Sequence, residues 1–228
     1  MELSERKMRK AMDKNVVNTR ELLVVCAGEL FGEHGYDGVS TRMIAESAEV
    51  KLSAIHYHFG SKENLYIESF TYAHERGKPA NFTDVIAENP ALTETALGQA
   101  EIIRKTVFRT MNDYFRPERP EWETMILIRE LASPTSALST LTEKLFKPNA
   151  ESAVDFYKMI RPDAADDKAS AWSDLLHSHV LFYSMAKKPI ELVRGENALT
   201  PEFYRTTART LARAMILEIG LPLPDDLK

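Results

Sequence analysis

Apolar side chains recur three and four positions apart along nearly the whole chain, while strand-like alternation is almost absent. That period is the helical one, so helices are the elements able to bury these side chains. Nine Gly and eleven Pro in 228 residues punctuate long stretches of helix-favouring residues. The expected fold class is all-α, without internal repeats or low-complexity tracts.

The first clear helix is capped at Asn18 or Thr19, aligns Leu23, Cys26, Ala27, Leu30 and Phe31 on one face, and stops at Gly35. Ser40 can cap a short second helix that buries Ile44, Ala45 and Ala48. After the linker Glu49-Val50-Lys51, a third helix runs from Leu52 to about His58 and seats itself through Leu52 and Ile55. Phe59-Gly60 ends it, and Ser61 caps a fourth in which Leu65 and Phe70 face inward. Short helices around a three-residue turn, followed by a longer helix, describe a helix-turn-helix module. The expected domains are 1–17, a basic arm or an extension of the first helix; 18–70, a three-helix helix-turn-helix domain; and 71–228, a helical ligand-binding and dimerisation domain.

Twenty-nine basic against thirty-four acidic residues give a net charge of -5, which excludes a diffusely basic coat for nucleic acid but not a local binding face. A helix that reads DNA must be seated by its apolar side and leave small or polar groups free on the other. The stretch from Lys51 to Phe59 meets that description. Lys51, Ser53, Ala54 and His56 are the candidates for reading bases, and Thr41, Arg42, Tyr57, His58 and Lys62 for holding phosphates.

Beyond Pro79, helices are expected at 92–116, 121–132, 135–160, 166–187 and 201–219, with Pro148 kinking or splitting the third and Lys188-Pro189 separating the last two. Phe108, Met111, Phe115, Trp122, Met125 and Phe156 suit an apolar or amphipathic small molecule, with Arg129 to orient a polar group; at helical spacing the same residues also read as plain core. The last two helices are apolar on more than one side. Trp172, Leu176, Val180, Tyr183, Ala208, Leu211, Met215 and Ile219 are therefore the expected homodimer surface.

Other chemistries lack their residues. One cysteine, Cys26, excludes a disulfide framework and a multi-cysteine metal site, and its place in an apolar stripe reads as core. The His56/His58 and His177/His179 pairs point apart on a helix, so no metal is expected. No Gly-rich phosphate loop or His-Glu-x-x-His unit is present, and the chain reads as non-enzymatic and without a cofactor. Neither a signal-peptide core nor a membrane-length apolar run occurs, so no membrane partner and a cytoplasmic location are expected.

The run ELLVVCAGELFGEHGYDGVSTRMIAESAEVKLSAIHYHFGSKENLY resembles the N-terminal domain of the TetR family of bacterial transcriptional regulators. The likeness rests on Phe31-x-x-x-Gly35-Tyr36, Thr41-x-x-x-Ala45-x-x-Ala48 and His58-Phe59-x-x-Lys62-x-x-Leu65, in order and at family spacing. It implies a homodimeric repressor on a palindromic operator in double-stranded DNA, released by a small-molecule effector. By position it also implies phosphate contact through Thr41, Tyr57, His58 and Lys62, and base reading through Lys51, Ser53, Ala54 and His56. Two positions depart from the family: Glu49 stands at the usual turn glycine and His56 at a usual tyrosine. The stretches IRELASPTSALSTLTEKLFKP and SDLLHSHVLFYSMAKKPIELVRG are similar to the CecR-like subgroup, which implies a ligand-responsive regulator connected with efflux or resistance. The competing reading is a dimeric helical interaction module without sequence-specific DNA binding, which Glu49 and the overall acidity favour.

Overall fold

A computed structural model describes residues 19–76 and 81–228, so the expected arm at 1–17 lies outside the described residues. All regular structure among the described residues is helical. The chain forms two compact units, one made of the described chain up to Ala73 with Glu121–Ala137, the other of His74–Pro120 with Leu138–Lys228.

In the first unit, α1 (Thr19–His34), α2 (Thr41–Ser47), α3 (Leu52–Phe59) and α4 (Lys62–Glu75) follow in order, and α7 (Glu121–Ala132) joins them from the second half of the chain. The expected boundary at residue 70 leaves out this last helix. The reason lies in two glycines of α1. A Cβ on Gly28 would stand 2.3 Å from the Trp122 ring, and one on Gly32 would stand 3.0 to 3.2 Å from Trp122 side-chain and backbone atoms. Burying an indole removes on the order of 200 Å² from water, worth about 5 kcal/mol, which outweighs the roughly 2 kcal/mol that two helical glycines cost relative to alanine.

Polar contacts complete the join. Arg129 donates to the carbonyls of Gly32 (2.7 Å) and Glu33 (2.6 Å), satisfying acceptors that the end of α1 leaves open. The Tyr66 hydroxyl donates to the fully buried Glu130 carboxylate at 2.7 Å, and that carboxylate also accepts from the Thr135 backbone at 3.0 Å. Burial, then the Glu130 bond, pushes the Tyr66 hydroxyl far above the usual phenol range, so it stays a donor. Cys26 is buried in the α1 stripe.

The second unit comprises α5 (Phe82–Glu88), α6 (Ala96–Tyr114), α8 (Leu138–Leu141), α9 (Lys147–Ile160), α10 (Asp166–Met185), α11 (Lys187–Arg194) and α12 (Pro201–Glu218). Between α8 and α9 the backbone makes a π-helical turn over Thr142–Phe146. This is the form the expected Pro148 disturbance takes: the ring removes one N–H, and the ladder slips by a residue ahead of it. Helix α11 departs from expectation, because Lys188-Pro189 reads as a break. Proline in a first turn forfeits no hydrogen bond, so it starts this helix instead.

The core of the second unit is an aromatic stack in which Phe82 lies 4.8 Å from Phe156 and 5.5 Å from Trp172, ring centre to ring centre. The Trp172 indole N–H finds the Met215 carbonyl at 3.0 Å. Trp172, Leu176, Val180, Ala208, Leu211, Met215 and Ile219 all belong to this core, and Tyr183 packs half-buried against it. Apart from Tyr183, the side chains expected at a homodimer surface are covered by their own chain. The apolar groups that α10 and α12 turn outward are Phe182, Met185 and Leu217, each about half exposed.

Candidate nucleic-acid interface

The interface is built on α2, α3 and the turn between them. Ser40 stands in extended backbone ahead of α2, and its Oγ accepts from the Met43 N–H at 3.2 Å. Thr41 follows, half-buried, and Arg42 is exposed in an i,i+4 pair with Glu46 at 2.9 Å. That pair is open to solvent, so it holds Arg42 weakly.

The turn itself has a defined geometry. Glu49 has φ 55°, the left-handed region; its N–H donates to the Glu46 carbonyl (3.2 Å), and Val50 N–H reaches back to the Ala45 carbonyl (3.0 Å). Those two bonds make a Schellman motif, whose left-handed position ordinarily belongs to glycine. The departure at Glu49 therefore leaves the turn's shape intact and places an exposed carboxylate beside the start of α3.

Helix α3 buries Ile55 (0% exposed) and Phe59 (6%) and turns Ser53, His56 and Tyr57 outward, with Ala54 and His58 half-buried. Lys51 is exposed at the N-cap. Leu52, expected to seat the helix, is 45% exposed. It shares the Ile55 and Phe59 face by periodicity, but as the first residue it projects past the end of the core, and Phe59 does the seating in its place.

His56 Nδ1 lies 3.2 Å from the Gly60 carbonyl, a contact that needs the proton on Nδ1 and leaves Nε2 of the neutral ring an acceptor. Tyr57 is 85% exposed, with its ring edge-on to His58 at 4.9 Å. At the other margin, Lys62 Nζ sits 4.1 Å from the centre of the Tyr36 ring. Burial, with the Glu63 and Asp37 carboxylates, raises the Tyr36 proton affinity and keeps that ring neutral beneath the ammonium. Tyr36 as a platform for Lys62, and Leu52 as an exposed group, escape the sequence reading. Both depend on which residues meet across helices, to which a linear period is blind.

All nine residues expected at DNA thus lie on α2, the turn, α3 and the first residue of α4. The residues expected at a small molecule are divided between the two units. Phe108, Met111, Phe115 and Phe156 are in the second unit, with Met111 and Phe156 inside its core and Phe108 and Phe115 half-buried at its margin. Trp122, Met125 and Arg129 are in the first unit, where Trp122 packs on the α1 glycines and Arg129 is committed to α1 carbonyls. No group of three or more His, Cys, Asp or Glu among the described residues is placed to hold a metal, and no described helix is long and apolar enough to cross a membrane.

Comparison with known proteins agrees with this layout. Residues 23–68 match the family of bacterial regulatory proteins of the tetR type, and residues 100–219 match the C-terminal domain of the HTH-type transcriptional dual regulator CecR. The HTH-type transcriptional repressor AcnR of Corynebacterium glutamicum is 32% identical over 110 residues, 48% of each chain, so this chain spans about half the length of that curated relative. Among solved structures, AibR in complex with isovaleryl coenzyme A and operator DNA superposes with a TM-score of 0.58 at 16% identity, covering 87% of this chain and 96% of that one. The TetR family transcriptional regulator PfmR from Thermus thermophilus gives 0.56 at 18%, covering 87% and 97%. At those identities the structures establish likeness of fold. The two family matches lie one on the helix-turn-helix and one over more than half of the sequence, and the chain belongs to the TetR family of bacterial regulatory proteins.

Proposed function

We propose that this protein is a DNA-binding transcriptional regulator, a homodimeric repressor that sets α3 of each subunit into the major groove of a palindromic operator. The observation that carries the reading is the division of α3: Ile55 and Phe59 anchor it, while Ser53, His56 and Tyr57 stand clear beside Lys51. Lys51, Ser53, Ala54 and His56 read base edges; Thr41, Arg42, Tyr57, His58 and Lys62 hold phosphates. Repression is favoured by the relative AcnR, itself named a repressor.

Dimerisation uses the outward apolar groups of α10 and α12, Phe182, Met185 and Leu217, since the inward ones are covered. The effector is a small apolar or amphipathic molecule taken up by the second unit, where Phe115 stacks on Tyr204 at 4.1 Å and Tyr183 meets both rings edge-on. It releases DNA because it binds better to a subunit arrangement that the operator does not fit.

The test is selection of fragments from sheared genomic DNA by the purified protein at near-physiological salt. A shared palindrome with half-sites about one helical turn apart is the expected result. Retention of nothing above background would refute the reading and return weight to an interaction module.

A further inference from the structure

In the first unit, the large apolar side chains left exposed among the described residues are Met43, Leu52, Tyr57 and Leu131, and all but Leu131 stand on α2 and α3. Tyr57 carries a hydroxyl suited to phosphate. Leu52 has no polar atom, is 45% exposed, and opens the first turn of α3, where it neighbours Ser53 and is one helical turn from His56. The N-terminal residues of a reading helix are those that reach base edges. In the major groove a side chain without donors or acceptors has one apolar feature to meet, the C5-methyl of thymine.

We propose that Leu52 is a specificity-determining residue that reads a thymine methyl in each operator half-site. The inference rests on the proposed DNA-binding function and adds a contact to it. Leu52 excludes water from the methyl group, whereas His56, one turn on, recognises its base through Nε2. Covering one methyl group favours thymine over its demethylated analogue about fourfold per half-site.

The experiment uses the full-length protein and the operator recovered by genomic selection, with each thymine of a half-site replaced in turn by uracil, which pairs identically and lacks only the methyl. The expected result is a position in each half-site where uracil weakens wild-type binding about fourfold, with the loss at that position absent in Leu52→Ala and retained in Leu52→Met. Leu52→Met keeps the apolar contact, so it separates loss of reading from loss of fold. An operator bound without methyl dependence at any thymine, or a dependence undiminished in Leu52→Ala, would overturn the role of Leu52 and leave the DNA-binding reading standing. Recovery of no operator at all would overturn both.

Discussion

Glu49 offers the sharpest test of the reading domain, because one residue carries a backbone effect and a charge effect that separate cleanly. At φ 55° its backbone is in the left-handed region, where an L side chain costs about 1–2 kcal/mol relative to glycine. Glycine brings back about 0.5–1 kcal/mol through the greater freedom it loses on folding. Glu49→Gly should therefore stabilise the protein by roughly 0.5–1 kcal/mol, a rise in Tm of about 1–4 °C for a chain of this size. Glu49→Ala removes the same exposed carboxylate but keeps the Cβ, so it should leave Tm within about 1 °C. Both substitutions take a negative charge away from the start of α3 and should tighten DNA binding by roughly two- to fivefold at low salt, an advantage that fades as salt rises. Thermal and denaturant unfolding followed by tryptophan fluorescence, to which Trp122 in the same unit contributes, reads the first effect; titration of operator DNA at two ionic strengths reads the second. Equal stabilisation by alanine and glycine would refute the backbone argument, and a destabilised Glu49→Gly would show that the side chain contributes a contact absent from this turn.

Further outcomes follow from other parts of the molecule. Gly28→Ala forces a Cβ into the Trp122 ring and should cost about 1–3 kcal/mol of stability by denaturant unfolding. Arg129→Gln should destabilise by about 1–3 kcal/mol through loss of its bonds to Gly32 and Glu33; an effector-contact role would instead leave unfolding unchanged. Burial, with Arg119 and His177 nearby, depresses the His74 imidazole to about 4 from an ordinary 6.5. The unfolded chain then binds a proton that the folded one refuses. The stability contributed by neutral His74 is full above pH 6.5 and is lost as pH falls from there toward about 4, and His74→Gln should flatten the unfolding profile across that window. Lys62→Gln should weaken binding to all DNA sequences alike and lower the salt slope by about one per half-site. Phe182→Glu should shift the protein toward monomer in sedimentation velocity without lowering its helix content.

Most of the reading module was legible in the residues themselves because its signals are local. Ser40 caps α2 through its own hydroxyl, Gly60 (φ 75°) closes α3, and Ile55 repeats at the helical period. Caps, turns and periodicity act within a few residues, so sequence order alone places α1 to α4 and the nine side chains proposed to meet DNA. Glu49 shows the limit of that reading: the sequence marks an unusual residue at the turn, and only the backbone shows that it keeps the left-handed geometry.

The rest depended on what meets across the fold. Periodicity finds apolar faces but does not say what covers them, which is why Trp172 and Met215 read as a partner surface although they close their own core. Trp122 and Arg129 read as pocket residues for the same reason; the α1 glycines that receive the indole lie about ninety positions earlier in the chain. Leu52 has the right period but is the first residue of α3, where it is left 45% exposed. Local chemistry determined the helices and their ends, whereas burial, a property of three-dimensional neighbours, decided which apolar side chains hold the protein together and which are left to meet another molecule.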